Sequence, residues 1–222
     1  MVNYNKINEL VYETFKELNI DCFPIDVYEL LEHYKMDIIP YTSLNQDKQN
    51  ACYNYSNDAF TLMNNVYYND KICSKGRIRF SLMHELGHKR LEHTTNTVLT
   101  NEEKEIEANT FASYILAPRV AVHHCLSNSQ NITSVFGVTN AAAQVITEDY
   151  KRWYYHSFLN GISPTDKKIF KHFYNDEYGK FIYSKSVCAI CDKEIINESD
   201  VLCSECHLKL MFKKQKNRFI WN

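Results

Sequence analysis

Two histidines four positions apart carry the strongest chemical signal in this sequence. His84 and His88 enclose Glu85 in the motif His-Glu-Leu-Gly-His. On an α-helix such residues lie one above the other, so both imidazoles can reach one metal ion. A carboxylate directly after the first histidine can face a water at that metal and accept its proton. The spacing predicts a zinc-peptidase helix with His84 and His88 as ligands and Glu85 as catalytic acid and base.

The third metal ligand must come from elsewhere, because a catalytic zinc usually takes three protein ligands and keeps one position for water. A third histidine in the pattern His-Glu-x-x-His-x-x-Gly-x-x-His would require Gly at position 91 and His at position 94. The sequence has Leu91 and Thr94 there. This class of site is excluded, and we expect a glutamate from a following helix.

A helix that could supply this glutamate begins at Thr100. Thr100 and Glu103 form a capping box, and Pro118 ends the helix. Its apolar residues recur at helical spacing: Ala108, Phe111, Ala112, Ile115 and Leu116.

Glu105 lies near the edge of this apolar stripe, and we assign it as the third ligand. Glu107 lies further round, toward solvent, and is a weaker candidate. Asn109, one turn after Glu105, is placed to hydrogen-bond a ligand histidine.

These residues together resemble the ImmA/IrrE metallopeptidases. From Arg77 the chain reads Arg-Ile-Arg-Phe-Ser-Leu-Met-His-Glu-Leu-Gly-His, and from Glu105 it reads Glu-Ile-Glu-Ala-Asn-Thr-Phe-Ala, with Leu-Ala-Pro ending at Pro118. The family pattern is R-x-R-F-T-L-A-H-E-x-G-H followed by E-x-x-A-N-x-F-A-x-x-L-L-x-P. The chain departs from it at three mild changes, Ser81, Met83 and Ala117. The resemblance does not extend to the C-terminal region.

The resemblance implies a cytoplasmic, zinc-dependent protease of bacteria and of mobile elements such as phages. Members of the family commonly act on a helix-turn-helix repressor and so relieve repression of an integrated element or of stress genes. By resemblance, His84, His88 and Glu105 are zinc ligands and Glu85 is the catalytic acid and base. In similar gluzincin-like peptidases a sheet edge holds the extended substrate by strand addition.

Four of the eight cysteines predict a second, structural zinc site. Cys188 and Cys191 form one C-x-x-C pair, and Cys203 and Cys206 form another after eleven residues. Paired motifs of this kind present four thiolates to one tetrahedral ion. The run from Cys203 to His207 also matches a c-type haem attachment motif, but haem attachment requires export and leaves the first pair unexplained. A disulfide is disfavoured in a reducing compartment.

The periodicity of the chain predicts an α+β fold. Residues 5–19 have helical spacing, and Asp26 caps a second helix. Met36–Tyr41 reads as a strand, and Ala51–Tyr55 with Ala59–Met63 read as a hairpin. We expect a small mixed or antiparallel sheet packed against a helical zincin-type core, with a C-terminal four-cysteine zinc-binding segment.

A change in composition near residue 160 predicts two parts. Residues 1–160 form the peptidase domain, with a zincin core at about 36–118 and a helical part at 119–160. Residues 161–222 form an extension with a zinc ribbon at about 185–207 and a basic tail. The chain has a formal charge of −2, no apolar run near the length of a membrane span and no signal peptide at its start. These features predict a cytoplasmic protein without membrane contact.

Two segments raise the alternative of DNA contact. Residues 135–142 have the cadence of a helix-turn-helix, but the second helix offers alanines and Gln144 instead of basic residues, so packing is favoured. The tail is basic and also contains aromatic residues, and docking on protein is again favoured; its charged residues are Lys209, Lys213, Lys214, Lys216 and Arg218.

Peptide hydrolysis also needs a donor for the oxyanion, for which the candidates are His93, His123, His124 and Tyr114. The alternative to an enzyme is a non-catalytic, zinc-containing regulator that binds protein or DNA.

Overall fold

The computed structural model describes residues 2–198 and 200–219, with side chains described as far as residue 213. The side chains of Lys214, Lys216 and Arg218 in the predicted basic tail therefore lie outside the described part. Within it, the helices are α1 (Tyr4–Glu17), α2 (Val27–His33), α3 (Gln46–Tyr55), α4 (Lys75–Arg90), α5 (Asn101–Leu116), α6 (Arg119–Ser127), α7 (Ile132–Phe136), α8 (Asn140–Asn160), α9 (Pro164–Phe173) and α10 (Ser204–Phe219).

Three strands form the sheet beside the metal helix: β1 (Asp37–Pro40), β2 (Ala59–Leu62) and β3 (Asn65–Tyr68). Their order is β1-β3-β2, with β3 parallel to β1 and antiparallel to β2. Val66 of the central strand is fully buried. Two-stranded pairs follow later in the chain: β4 (Tyr174–Asn175) with β5 (Lys180–Phe181), and β6 (Lys185–Val187) with β7 (Glu194–Ile196). The predicted α+β class with a small mixed sheet is confirmed.

The predicted strand at Ala51–Tyr55 is wrong, because these residues form the second half of α3. Asn45 starts this helix, since its side-chain oxygen accepts a hydrogen bond from the Lys48 N–H. The helix that starts at this cap continues for ten residues, and the short alternation of apolar and polar residues in Ala51–Tyr55 lies within it. The hairpin instead joins β2 to β3, with Met63 in the left-handed region of the backbone at the turn.

Helices α4 and α5 pack directly on each other. Gly87 permits this close approach, because a Cβ atom at this position would lie 3.2 Å from the Cα and carbonyl oxygen of Ala108 and 3.2 Å from Phe111 Cδ1. Several facing side chains are fully buried: Leu82, Leu86, Phe111 and Ala112. Any side chain at position 87 would push α5, and Glu105 with it, away from α4.

Residues beyond 160 contribute to the main hydrophobic core. Asp166 of α9 is 3% exposed and accepts hydrogen bonds from Asn8 Nδ2 in α1 and Trp153 Nε1 in α8. The apolar side chains that follow join the same cluster: Ile169, Phe173, Phe181 and Tyr183. Three of the four paired cysteines, Cys188, Cys203 and Cys206, form a separate, small cluster with Ile195 and Leu202, whereas Cys191 is exposed. The division of the chain at residue 160 remains a prediction.

The helix-turn-helix-like segment packs against the core, as predicted. Gly137 ends α7 in the left-handed conformation, and Thr139 caps α8. Ala142 and Ala143 contact the main hydrophobic cluster. Among the described residues, no helix combines the length and the apolar character that a membrane crossing requires.

Candidate metal centre and cleft

Helix α4 brings the two motif histidines together. Ser74 starts the helix, because its side chain accepts a hydrogen bond from the Arg77 N–H. One helical turn separates His84 from His88, and their Nε2 atoms lie 3.0 Å apart. Both side chains are mostly buried, with 17% and 23% of their surface exposed. The two imidazoles therefore present nitrogen lone pairs to one small volume.

Helix α5 adds a carboxylate to this volume. The predicted capping box of Thr100 and Glu103 starts the helix. Glu105 Oε2 lies 3.2 Å from His84 Nε2, and Glu105 Oε1 lies 3.3 Å from His88 Nε2. One donor atom from each of the three residues falls within 4.8 Å of the others, so they could hold a metal ion. Two imidazole nitrogens and one carboxylate are a donor set that fits a catalytic zinc.

The outer nitrogen of each histidine also has a partner. His84 Nδ1 lies 3.0 Å from Asn109 Oδ1, and His88 Nδ1 lies 3.0 Å from His93 Nδ1. Burial, with the neighbouring His84 and His93, lowers the pKa of His88 to about 4. His88 is therefore neutral near pH 7, which is the form that binds a metal.

Glu85 lies in the same cleft but is held by the sheet. Its Oε2 accepts a hydrogen bond of 2.7 Å from Thr61 Oγ1 in β2. Burial raises the pKa of Glu85, and the hydrogen bond from Thr61 opposes this shift. The carboxylate is thus fixed beside the three donors without being one of them.

Sequence reasoning did not identify Thr61. A threonine in a short strand is common, and nothing in its local spacing relates it to a residue 24 positions later. The available signal was the side-chain alternation of β2, which places Thr61 and Ala59 on one face. Only the docking of that face on α4 gives Thr61 its partner.

The candidate centre opens into a cleft of about 1240 Å³ between α4, α5 and β2. Ala59, Phe60 and Thr61 of β2 line it, as do Tyr55 at the end of α3 and Met63 directly after β2. Within the described residues β2 pairs with β3 alone, so its other edge faces outward beside the cleft. An extended chain would fit along this edge.

The prediction that Glu107 faces solvent is wrong. Glu107 is 5% exposed, and its Oε2 lies 3.2 Å from His93 Nε2. Its Oε1 accepts a hydrogen bond of 3.0 Å from the Asn3 N–H. Helical periodicity could not predict these partners, because they come from other segments: the N-terminal segment and the turn after α4 cover this side of α5. Glu107 is consequently separated from the metal centre by His93.

The four oxyanion candidates do not meet at the cleft. Only His93 lines it, and both of its ring nitrogens already contact His88 and Glu107. His123 lies 3.0 Å from the Tyr150 hydroxyl, and His124 stacks on Phe181. Tyr114 lies beneath the guanidinium of Arg119. Packing therefore accounts for the last three.

The four paired cysteines also come together. One sulfur atom from each of Cys188, Cys191, Cys203 and Cys206 lies within 4.8 Å of the others. Backbone N–H groups of Cys203 and Ile190 lower the pKa of the Cys188 thiol, which favours the thiolate that binds metals. The four donors are compatible with a closed tetrahedral zinc site.

A His-Glu-x-x-His helix packed on a second helix that supplies a glutamate is the arrangement of zinc metallopeptidases. The model of the IrrE N-terminal-like domain, peptidase family M78, matches residues 32–146, slightly more than half of the chain. The chain therefore belongs to the ImmA/IrrE family of metallopeptidases, and the predicted resemblance is confirmed. The match spans every residue of the candidate metal centre and ends before the four cysteines. No curated protein sequence matches the chain.

Proposed function

We propose that this chain is a zinc-dependent endopeptidase. One observation carries the proposal: the Nε2 atoms of His84 and His88 and the carboxylate of Glu105 converge in a cleft that Glu85 also lines. Membership of a metallopeptidase family supports it. In this proposal His84, His88 and Glu105 hold the metal, and Asn109 orients His84.

When bound, zinc supplies a Lewis acid that lowers the pKa of a water molecule toward about 7 and polarises the scissile carbonyl. Glu85 takes a proton from the water molecule as the water oxygen bonds to the carbonyl carbon. As the carbon–nitrogen bond breaks, Glu85 donates this proton to the leaving amine. The raised pKa of Glu85 suits a carboxylate that must act as base and then as acid.

Strand β2 is the proposed binding edge for the substrate backbone. Its free edge lies beside the cleft, and its residue Thr61 holds Glu85. A peptide paired with β2 would place its backbone next to the carboxylate that handles the proton. Main-chain hydrogen bonds then supply affinity, and Tyr55, Phe60 and Met63 offer apolar contacts to substrate side chains.

Replacing Thr61 by Val is expected to lower the cleavage rate by about tenfold to a hundredfold, because a hydrogen bond to a charged group contributes about 1.5–3 kcal/mol. Valine keeps the shape of the side chain and its strand preference, so the fold should persist. The rate with a fixed peptide substrate, compared with thermal unfolding, checks this. Thr42→Val, in which an exposed threonine outside the cleft loses its hydrogen bond to Asp70, is the matched control. A rate equal to wild type would contradict the positioning of Glu85 by Thr61.

The substrate in this proposal is a helix-turn-helix repressor of a mobile element or of a stress response, and cleavage takes place in the cytoplasm. Family membership supports this choice. Co-expression of the chain with the repressor encoded beside it should yield defined repressor fragments, which mass spectrometry would identify. A repressor that stays intact beside the zinc-loaded chain would contradict this substrate.

The four cysteines form a second, structural zinc site in this proposal. All four lie outside the matched family domain, and three of them, Cys188, Cys203 and Cys206, belong to a small apolar cluster apart from the main core. A closed set of four thiolates leaves no position for substrate, so this site contributes to folding and not to the reaction.

A further inference from the structure

Glu107 and His93 form a buried pair beside the candidate metal centre. Glu107 is 5% exposed and His93 is 3% exposed. Neither residue contributes a donor atom to the centre, and neither has a role in the proposed reaction. Burying a carboxylate costs free energy unless hydrogen bonds compensate it, so the contacts of this pair need an explanation.

The contacts run in a line from the N-terminal segment to the metal centre. Asn3 N–H donates to Glu107 Oε1 at 3.0 Å, and Glu107 Oε2 lies 3.2 Å from His93 Nε2. His93 Nδ1 then lies 3.0 Å from His88 Nδ1. The other nitrogen of His88, Nε2, faces Glu105 and His84.

The chemistry of these groups determines the proton positions. An ionised carboxylate can only accept hydrogen bonds, so His93 must carry its proton on Nε2. The Nδ1 atom of a neutral His93 is then an acceptor, and His88 must donate to it from its own Nδ1. A neutral His88 protonated on Nδ1 has a free lone pair on Nε2, which is the atom directed at the metal centre.

We propose that Glu107 and His93 are positioning residues, which set the tautomer and ring orientation of His88 for metal binding. The inference rests on the proposed function, since it assigns His88 as a ligand. It also gives the N-terminal segment a role, because Asn3 occupies the second oxygen of Glu107. A carboxylate behind a histidine ligand is a known way to orient such a ligand, but here a second histidine transmits the effect.

The substitution Glu107→Gln tests this inference, because an amide cannot accept two hydrogen bonds through two different atoms. If the amide oxygen accepts from Asn3, the amide nitrogen faces His93 Nε2 and donates to it. His93 then carries its proton on Nδ1, and His88 is forced to place its proton on Nε2. We expect the zinc affinity of the histidine site to fall by about 10- to 100-fold.

Two measurements on the full-length chain provide the readouts. Competition with a chromophoric chelator measures zinc affinity, and the His84→Ala variant identifies the histidine site separately from the cysteine site. Nitrogen–proton correlation spectra of the histidine rings in metal-free protein report the tautomers. Wild type should show His88 protonated on Nδ1 and His93 protonated on Nε2, and Glu107→Gln should reverse both.

Variants of His93 separate its two contacts. In His93→Asn the amide oxygen replaces Nδ1 and can still accept from His88, so much of the affinity should remain. In His93→Gln the amide group replaces Nε2 and leaves His88 Nδ1 without its acceptor, so the affinity should fall as it does in Glu107→Gln. Equal affinities in these two variants would overturn the relay.

Asp166→Asn is the matched control, since Asp166 is a similarly buried carboxylate in another part of the core, with three side-chain donors, Asn8, Trp153 and Ser163. It should reduce thermal stability and leave the zinc affinity of the histidine site unchanged. Unchanged tautomers in Glu107→Gln would overturn the inference, as would an equal loss of affinity in Asp166→Asn. If wild type showed no zinc binding that depends on His84, the proposed function would fail, and the tautomers alone would decide the relay.

Discussion

Replacing Glu85 by Gln is expected to reduce peptide cleavage by about 10²- to 10⁴-fold while the zinc content stays unchanged. Glutamine has the same shape and can still accept a hydrogen bond from Thr61, so the cleft should keep its form. It cannot take a proton from water or return one to the leaving amine. Cleavage of a fixed peptide, followed by mass spectrometry, and zinc content per chain are the two measurements.

The control for this variant is Glu102→Gln, an identical change at an exposed position on α5 outside the cleft. It should cleave as wild type does. If Glu85→Gln retained full activity, its assigned role would be incorrect. If neither wild type nor Glu85→Gln cleaved the peptide, yet both relieved repression equally in cells, a non-catalytic regulator that binds its partner would be the better description.

Replacing Cys206 by Ser is expected to unfold the four-cysteine segment while the main core stays folded. The segment has very little apolar packing of its own: Cys188, Ile195, Cys203 and Cys206 are buried there, with Leu202 beside them. Structural zinc contributes about 10–16 kcal/mol to the folding of such small domains, so an incomplete ligand set should not hold the segment. The chain should lose one zinc ion, and a protease should cut between residues 185 and 207.

The core should resist the same protease, because Phe181 and Tyr183, just before this segment, belong to the main hydrophobic cluster. Cys73→Ser is the control, since Cys73 is an exposed free cysteine far from the cluster in sequence. It should retain both zinc ions and the wild-type digestion pattern. A Cys206→Ser chain with wild-type zinc content and the same pattern would contradict the structural zinc site.

The sequence alone was sufficient for features that depend on local spacing. Four-residue spacing on a helix brings His84 and His88 together whatever surrounds them. The capping box at Thr100 and the cap at Asp26 depend on neighbouring residues only, and both are present. The two cysteines within each C-x-x-C pair lie close together for a similar reason, because each pair needs only a tight turn.

Local spacing also misled where two local signals competed. The alternation in Ala51–Tyr55 predicted a strand, but the cap at Asn45 starts a helix that continues through it. A formed cap and ten residues of helical hydrogen bonds outweigh a five-residue alternation. The hairpin of the sheet is therefore formed by the next two segments, β2 and β3.

The tertiary structure alone decided which side chains surround the candidate metal centre. Helical periodicity predicted that Glu107 faces solvent, yet a segment 104 positions earlier covers it. Thr61 reaches Glu85 only because β2 lies at the sheet edge beside α4, and that order depends on the parallel pairing of β1 with β3. Helical and strand periods describe one element at a time, whereas burial and hydrogen-bond partners depend on which distant segment covers each face.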